Sequence, residues 1–273
     1  DEEVTSLKYI DWTMGKTGCL TPTAVFNPVD IDGATVGRAS LHNVSILKEL
    51  RLGVDDEITV YKANAIIPQI RENLTKSNSI EVPSVCPICG KSTKIVKDND
   101  TEVLVCMNDN CKGKLLGKLS HAVSKNALNI DGLSEETLSV LIENDLVDSI
   151  CSIYNLEQHK DKLLDLDRFG KRKVEKLLKE IEKSKRIKLC NYIYSWSIPL
   201  IGRTVSKDIS EFVKGDADEF VRIMSHEAGK PFIEIEGFGK TMLESLTNWW
   251  DYNCVNFVDL MAIMAFVETE IVT

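Results

Sequence analysis

Apolar positions along the chain follow two different periods. Up to about residue 83 they alternate with polar ones in short runs, which predicts strands at Leu7–Met14, Leu20–Phe26, Glu57–Tyr61 and Ile66–Arg71. Gly15, Asp32-Gly33 and Gly53 supply the turn signals between them. One short helix interrupts the strands. Ser40 is placed to cap it, and Leu41, Val44, Leu47 and Leu50 recur at helical spacing. Short strands with a single helix suit a small β-barrel, and the OB type is the most economical of these. From residue 113 onward the period becomes helical and no strand is predicted. Lys173–Lys185, with Val174, Leu177, Leu178 and Ile181 on one face, is typical. The longest apolar run, Val258 to Val267, is broken by Asp259, is too short to cross a membrane, and reads as a buried helix.

The helical region repeats itself. Four segments share an apolar residue, a tight turn and a new helix: NIDGLSEETLSVLI from Asn129, DLDRFGKRKVEKLL from Asp165, SIPLIGRTVSKDIS from Ser197 and EIEGFGKTMLESLT from Glu234. The turn positions are Gly132 with Ser134, Arg168 with Gly170, Leu200 with Gly202, and Gly237 with Gly239. This is a helix-hairpin-helix pattern. Such a turn exposes the unpaired backbone N–H groups that open the second helix, and these form an anion site suited to a backbone phosphate. Glycine permits the turn and lets the phosphate approach. Lys171, Arg203 and Lys240 follow directly in three repeats, whereas the first has Glu135 there. The expected DNA-binding residues are therefore Gly132, Arg168, Gly170, Lys171, Gly202, Arg203, Gly237, Gly239 and Lys240. Contacts of this kind read phosphate and not base, so binding is expected to be salt-sensitive and indifferent to sequence.

Between the two regions lie Cys86 and Cys89, then sixteen residues, then Cys106 and Cys111. Each pair is spaced to place two sulfurs on one side of a metal, and together they complete a tetrahedron suited to Zn2+. Gly90 stands where the first knuckle needs a permissive backbone. Four thiolates leave no open coordination position, so the site is expected to be structural. His121 is too distant to be a ligand. The remaining cysteines, Cys19, Cys151, Cys190 and Cys254, lie among apolar residues and read as small core side chains.

The fold class is thus multidomain α and β: an OB-fold domain over residues 1–83, a four-cysteine zinc finger over 84–112, an all-α tandem helix-hairpin-helix domain over 113–255, and a C-terminal helix or linker over 256–273. The zinc is expected to act as a rigid joint between the barrel and the first hairpin.

Charge modifies this picture locally. The net charge of −9 argues against a surface coated in basic residues. Residues 168–188, however, carry ten Lys or Arg against Glu175, Glu180 and Glu182, an excess of +7 centred on the second repeat. Residues 208–236 are acidic. The first residues, DEEVTSLKYI, have no apolar core and no initiator Met, so they are not a secretory signal and read as an internal stretch of a longer protein. Paired metal-type cysteines favour a reducing compartment.

No catalytic residue emerges. Asp30-Ile31-Asp32-Gly33 and Asn129-Ile130-Asp131-Gly132 both lack the lysine of a Lys-x-Asp-Gly adenylation motif. There is no P-loop, and the four histidines suggest no triad. His42 is the most interesting of them, with a structural role as its default.

The order of parts resembles the C-terminal portion of bacterial NAD-dependent DNA ligases. The stretches that carry the resemblance are Thr17-Gly18-Cys19-Leu20-Thr21-Pro22, Ala39-Ser40-Leu41-His42-Asn43, Ile66-Ile67-Pro68, Cys86-Pro87-Ile88-Cys89-Gly90, Cys106 with Asn108, Asn110 and Cys111, Asn129-Ile130-Asp131-Gly132-Leu133, and Ile235-Glu236-Gly237-Phe238-Gly239. Departures are Lys16 for the usual Arg, Ala65 for a common Asp, and Ser134 and Arg168 for hairpin glycines. The resemblance implies a parent enzyme that takes AMP from NAD+, transfers it to the 5′-phosphate of nicked double-stranded DNA, and seals the nick using Mg2+. It also implies an adenylation domain upstream, a BRCT domain downstream, a monomer with no membrane association, and a cytoplasmic, nucleoid-associated location. The fragment alone would clamp duplex without ligating it. The alternative is a non-enzymatic module joining an OB barrel to hairpins, such as a Holliday-junction branch-migration subunit, or the hairpin tail of an excision nuclease. The four-cysteine module separates this chain from the junction proteins.

Overall fold

The computed structural model describes residues 2–15 and 17–267, so Lys16 and the end of the 256–273 segment lie outside the described residues. The chain divides into two compact units, residues 1–117 and 118–273.

The first unit is built on one antiparallel sheet. Its strands are β1 (Glu2–Met14), β2 (Cys19–Ile31), β3 (Ala34–Ser40), β4 (Glu57–Ala63), β5 (Ile67–Asn73), β6 (Thr93–Asp98) and β7 (Thr101–Cys106), with helix α1 (Val44–Glu49) between β3 and β4. The spatial order is β5–β4–β1–β2–β7–β6, and β3 also pairs with β2. Along β2, Leu20, Pro22, Ala24 and Phe26 are all buried, a strict two-residue period. In β1 the register shifts between Leu7 and Tyr9. Ahead of the shift, Thr5 and Leu7 point inward; beyond it, Ile10, Trp12 and Met14 are the more covered set. The extra residue thus moves the inward face from odd to even positions. It also bends the strand, so that residues 2–6 pair with β4 and residues 7–14 with β2. Leu7, Phe26, Ile31, Leu41, Leu52, Ile58 and Val60 fill the interior.

Asp32 (φ +48°) and Gly33 (φ +71°) are both left-handed and form the two-residue turn between β2 and β3 that their sequence predicts. Helix α1 differs from expectation. Its cap is Asn43, whose Oδ1 accepts from the Ile46 N–H at 3.0 Å, and not Ser40, which ends β3. Leu41 is buried ahead of the helix, not on it. Strands β3, β6 and β7 add to the four that the alternation predicts. A buried polar network braces the barrel: Asn73 Nδ2 donates to Asp56 Oδ2 at 2.7 Å and lies within hydrogen-bonding distance of the Leu50 and Arg51 carbonyls.

The boundary between the units falls inside helix α2 (Lys112–Ala122). The second unit continues with α3 (Glu135–Glu143), α4 (Ile150–Ile153), α5 (Lys160–Leu164), α6 (Lys171–Ser184), α7 (Leu189–Ser195), α8 (Arg203–Phe212), α9 (Ala217–Glu227) and α10 (Lys240–Met261). Its centre is aromatic. Tyr192, Phe220, Phe232 and Phe257 are fully buried, with Trp196 and Trp250 packed against them. The Tyr192 hydroxyl donates to the Phe257 carbonyl at 2.7 Å, which satisfies the one polar atom this ring carries inside. The expectation of a strand-free region is corrected by a short parallel pair, β8 (Arg186–Ile187) with β9 (Ala265–Phe266). The Val258–Val267 run is therefore not one buried helix. Its first part ends α10 and its last part forms β9, which takes its hydrogen bonds from a strand and not from a helical turn.

Candidate metal centre and nucleic-acid interface

The Sγ atoms of Cys86, Cys89, Cys106 and Cys111 all lie within 4.8 Å of one another, with Cys89 and Cys106 at 3.6 Å. Sulfurs bound to one tetrahedral zinc sit about 3.8 Å apart, so the cluster has the dimensions to hold such an ion. All eight cysteines are free of disulfides. Two local structures aim the sulfurs. In the first, Gly90 (φ +67°) lets the chain turn back, with its N–H donating to the Cys86 carbonyl at 2.9 Å. In the second, the Cys111 N–H donates to the Asn108 carbonyl at 3.2 Å, and the Asn110 N–H to the Asn108 side chain at 3.1 Å. Cys106 ends β7, and β7 pairs with β2 at Cys19–Val105 and Leu20–Leu104. The cluster consequently packs with Leu20, Val44 and Leu104, so metal site and sheet share a core. The thiols are electrostatically unequal. A hydrogen bond from the Lys91 backbone holds Cys89 down to about 6, whereas burial pushes Cys106 up to about 12 and Cys111 upward.

The four turns of the helical unit have one geometry. Gly132, Arg168, Leu200 and Gly237 are all left-handed, with φ of +90°, +63°, +65° and +80°. Two residues later, Ser134, Gly170, Gly202 and Gly239 take extended backbone and cap α3, α6, α8 and α10. The residue between is buried each time: Leu133, Phe169, Ile201 and Phe238. An apolar anchor thus pins every turn while its flanking positions face outward.

The caps fall into two kinds. Ser134 satisfies its own helix, accepting from the Thr137 N–H, and Glu135 and Glu136 occupy the first turn. Gly170, Gly202 and Gly239 supply no side-chain cap. A Cβ at any of these three glycines would meet nothing within 4 Å. Neither backbone angle nor packing in this chain requires glycine there. Lys171, Arg203 and Lys240 are exposed and make no ion pair with described residues. Arg168 projects into solvent beside Asp167. Lys173 lies over the Phe169 ring, 4.0 Å from its centroid. Lys176 is paired with Asp131 of the first turn at 2.8 Å.

Other candidates are plain. His42 (φ +61°) is exposed and immediately precedes the Asn43 cap. Ala65 (φ +60°) forms the turn between β4 and β5. Cys19, Cys151, Cys190 and Cys254 are half-buried singletons, and burial pushes the Cys151 and Cys190 thiols upward. Among the described residues no helix is long and apolar enough to cross a membrane. Sequence reasoning missed that Ser134 closes the first cap and that Leu200, at its turn position, leaves its side chain exposed. Aligning the four repeats by their buried anchor reveals the second point.

The barrel defines the class. Residues 4–81 match the family described as the NAD-dependent DNA ligase OB-fold domain, and the first unit carries an OB fold of that type. Over most of its length, barrel included, the chain is 37% identical over 246 residues to a DNA ligase of Ruminiclostridium cellulolyticum, covering 90% of this chain and 37% of that protein. It is 39% identical over 227 residues to a DNA ligase of Lachnoclostridium phytofermentans (80% and 35%) and 34% identical over 256 residues to one of Prochlorococcus marinus (92% and 36%). These matches fit a C-terminal portion of an NAD-dependent DNA ligase. The chain spans little more than a third of the length of the relatives it matches.

Proposed function

We propose that this chain is the duplex-gripping portion of an NAD-dependent DNA ligase, the four turns being helix-hairpin-helix motifs of which the last three hold backbone phosphates of nicked DNA. The supporting observation is the run of three exposed glycine caps with empty space above them, each followed by a cation. Orphan N–H groups, the positive helix end and the cation act on the same anion. The first motif, self-capped by Ser134 and led by Glu135, serves as a packing element. Zinc in the four-sulfur cluster is structural, since four sulfur ligands leave no position for water or substrate.

The parent enzyme would transfer AMP from NAD+ to the 5′-phosphate with Mg2+ and then seal the nick. That chemistry needs a lysine nucleophile that neither Asp-Gly site of this chain provides. The adenylation and BRCT domains, a monomeric state and a nucleoid-associated cytoplasmic location belong to the same reading. The decisive measurement is anisotropy titration of a labelled nicked duplex over a range of salt. Sequence-independent binding that weakens linearly in log–log form with salt is expected. Absence of binding, or incorporation of radiolabelled AMP from NAD+ into this chain, would overturn the assignment.

A further inference from the structure

Leu200 is held where a leucine is disfavoured. Its backbone is left-handed (φ +65°), a conformation that crowds the Cβ of an L-residue and is natural to glycine. The equivalent positions in the first and last turns are Gly132 and Gly237. Burial does not compensate. Leu200 is 57% exposed, while its neighbours Ile198 and Ile201 are only 4% and 3% exposed and already anchor the turn. The turn is therefore anchored without the isobutyl group, more than half of which is left in solvent.

Position supplies a reason for the group. Leu200 is two residues ahead of the Gly202 cap and three ahead of Arg203. It also lines a shallow groove with Thr241, Trp249 and Tyr252 of α10, and Thr241 directly follows Lys240. Leu200 thus stands between the helix starts of the third and fourth motifs, both of which carry a bare glycine cap and a cation. A side chain between two phosphate grips faces the surface that separates two phosphates. On a duplex of any sequence that surface is the deoxyribose wall of a groove, rich in C–H and poor in hydrogen-bonding groups.

We propose that Leu200 is a DNA-contacting residue that packs its apolar side chain against deoxyribose between the phosphates held by the third and fourth turns. This rests on the duplex reading above. It adds a contact with a signature opposite to that of the cations, because burying C–H surface releases no counterions. The contact gains affinity without steepening the salt dependence, and it reads no base.

The test is the binding of this chain to a fluorescein-labelled nicked duplex across a salt series, for Leu200→Gly, Leu200→Asn and Leu200→Met. Gly and Asn both tolerate left-handed backbone, so the fold is retained. Both are expected to weaken binding about fivefold with an unchanged salt slope, while Met retains affinity. Unchanged affinity for Gly and Asn overturns the proposal, and so does a loss confined to Gly, which would report chain flexibility. Arg203→Ala separates the two levels. If it flattens the salt slope while the Leu200 variants bind normally, the Leu200 contact fails and the duplex reading stands. If the unmodified chain does not bind duplex, both fail.

Discussion

The ammonium of Lys176 on α6 donates to the carboxylate of Asp131 at 2.8 Å, tying the second repeat to the turn that opens the first. Lys176 holds the Asp131 carboxyl below its ordinary range, and Asp131 in turn raises the Lys176 ammonium. Both groups are largely exposed, so the pair contributes little to stability. Its effect is on charge: it neutralises one cation on the basic face. Asp131→Asn is expected to leave the melting temperature unchanged, tighten duplex binding at low salt, and steepen the salt slope by up to about 0.9, the increment for one further phosphate. An unchanged slope would mean that Lys176 does not reach DNA.

Gly239→Val tests the empty space above the caps. Gly239 has φ −91° and ψ 173°, an extended conformation that suits a β-branched residue, and its added Cβ meets nothing. The variant is expected to fold normally and to lose on the order of tenfold in duplex affinity by blocking phosphate approach. Gly237→Val is the contrast. At φ +80° the residue itself is strained, at a cost of about 1–2 kcal/mol, which calorimetry should register as a lower melting temperature. Normal DNA affinity in Gly239→Val would remove the fourth turn from the phosphate sites.

Cys106→Ser joins metal and sheet in one experiment. Cys106 is fully buried and shares a core with Leu20, Val44 and Leu104. The variant is expected to lose bound zinc, measured by atomic absorption, and to lower the unfolding midpoint of the barrel as well. Zinc lost with the midpoint intact would show that the cluster is only an appendage to the sheet.

Asp56 predicts an acid limit for the barrel. It is 1% exposed; burial opposes its charge, but hydrogen bonds from Ser77 and Asn73 outweigh that and hold its pKa below the ordinary carboxylate value. A depressed folded pKa stabilises the native state above the unfolded pKa near 3.8, and this stabilisation fades as pH falls through the folded value. Denaturant unfolding at a series of pH values is expected to show it. Asp56→Ala should lose about 1–3 kcal/mol at neutral pH by leaving the Asn73 amide without this partner, and should flatten the acid limb.

Much of this structure is legible in the chain because its rules are local. The alternation of Leu20, Pro22, Ala24 and Phe26, the Asp32-Gly33 turn and the cysteine spacings each depend on a few adjacent residues. The misses depend on distant partners. The Thr93–Cys106 hairpin is half covered, and its place was set by pairing with β2, far away in sequence. The Asn43 cap superseded Ser40 because β3 extends to Ser40 by pairing with β2. The shared left-handed geometry of Gly132, Arg168, Leu200 and Gly237 was readable in outline from the repeats. The open space above the glycine caps was not, because it concerns what lies outside the chain.

The pairing of β7 with the first residues of β2 has a bearing on solubility. One side of β2 is taken by β1, and the other is divided between β3 and the Cys19–Leu20 bridge to β7. The sheet is thereby carried on to β6, a six-residue strand bearing Lys94 and Lys97. Short, lysine-bearing margins resist the addition of foreign strands. Stripping the ion would release that margin and leave the start of β2 with unpaired backbone groups. The metal-free protein is then expected to be lost from solution by intermolecular strand pairing, with light scattering rising before helical signal falls.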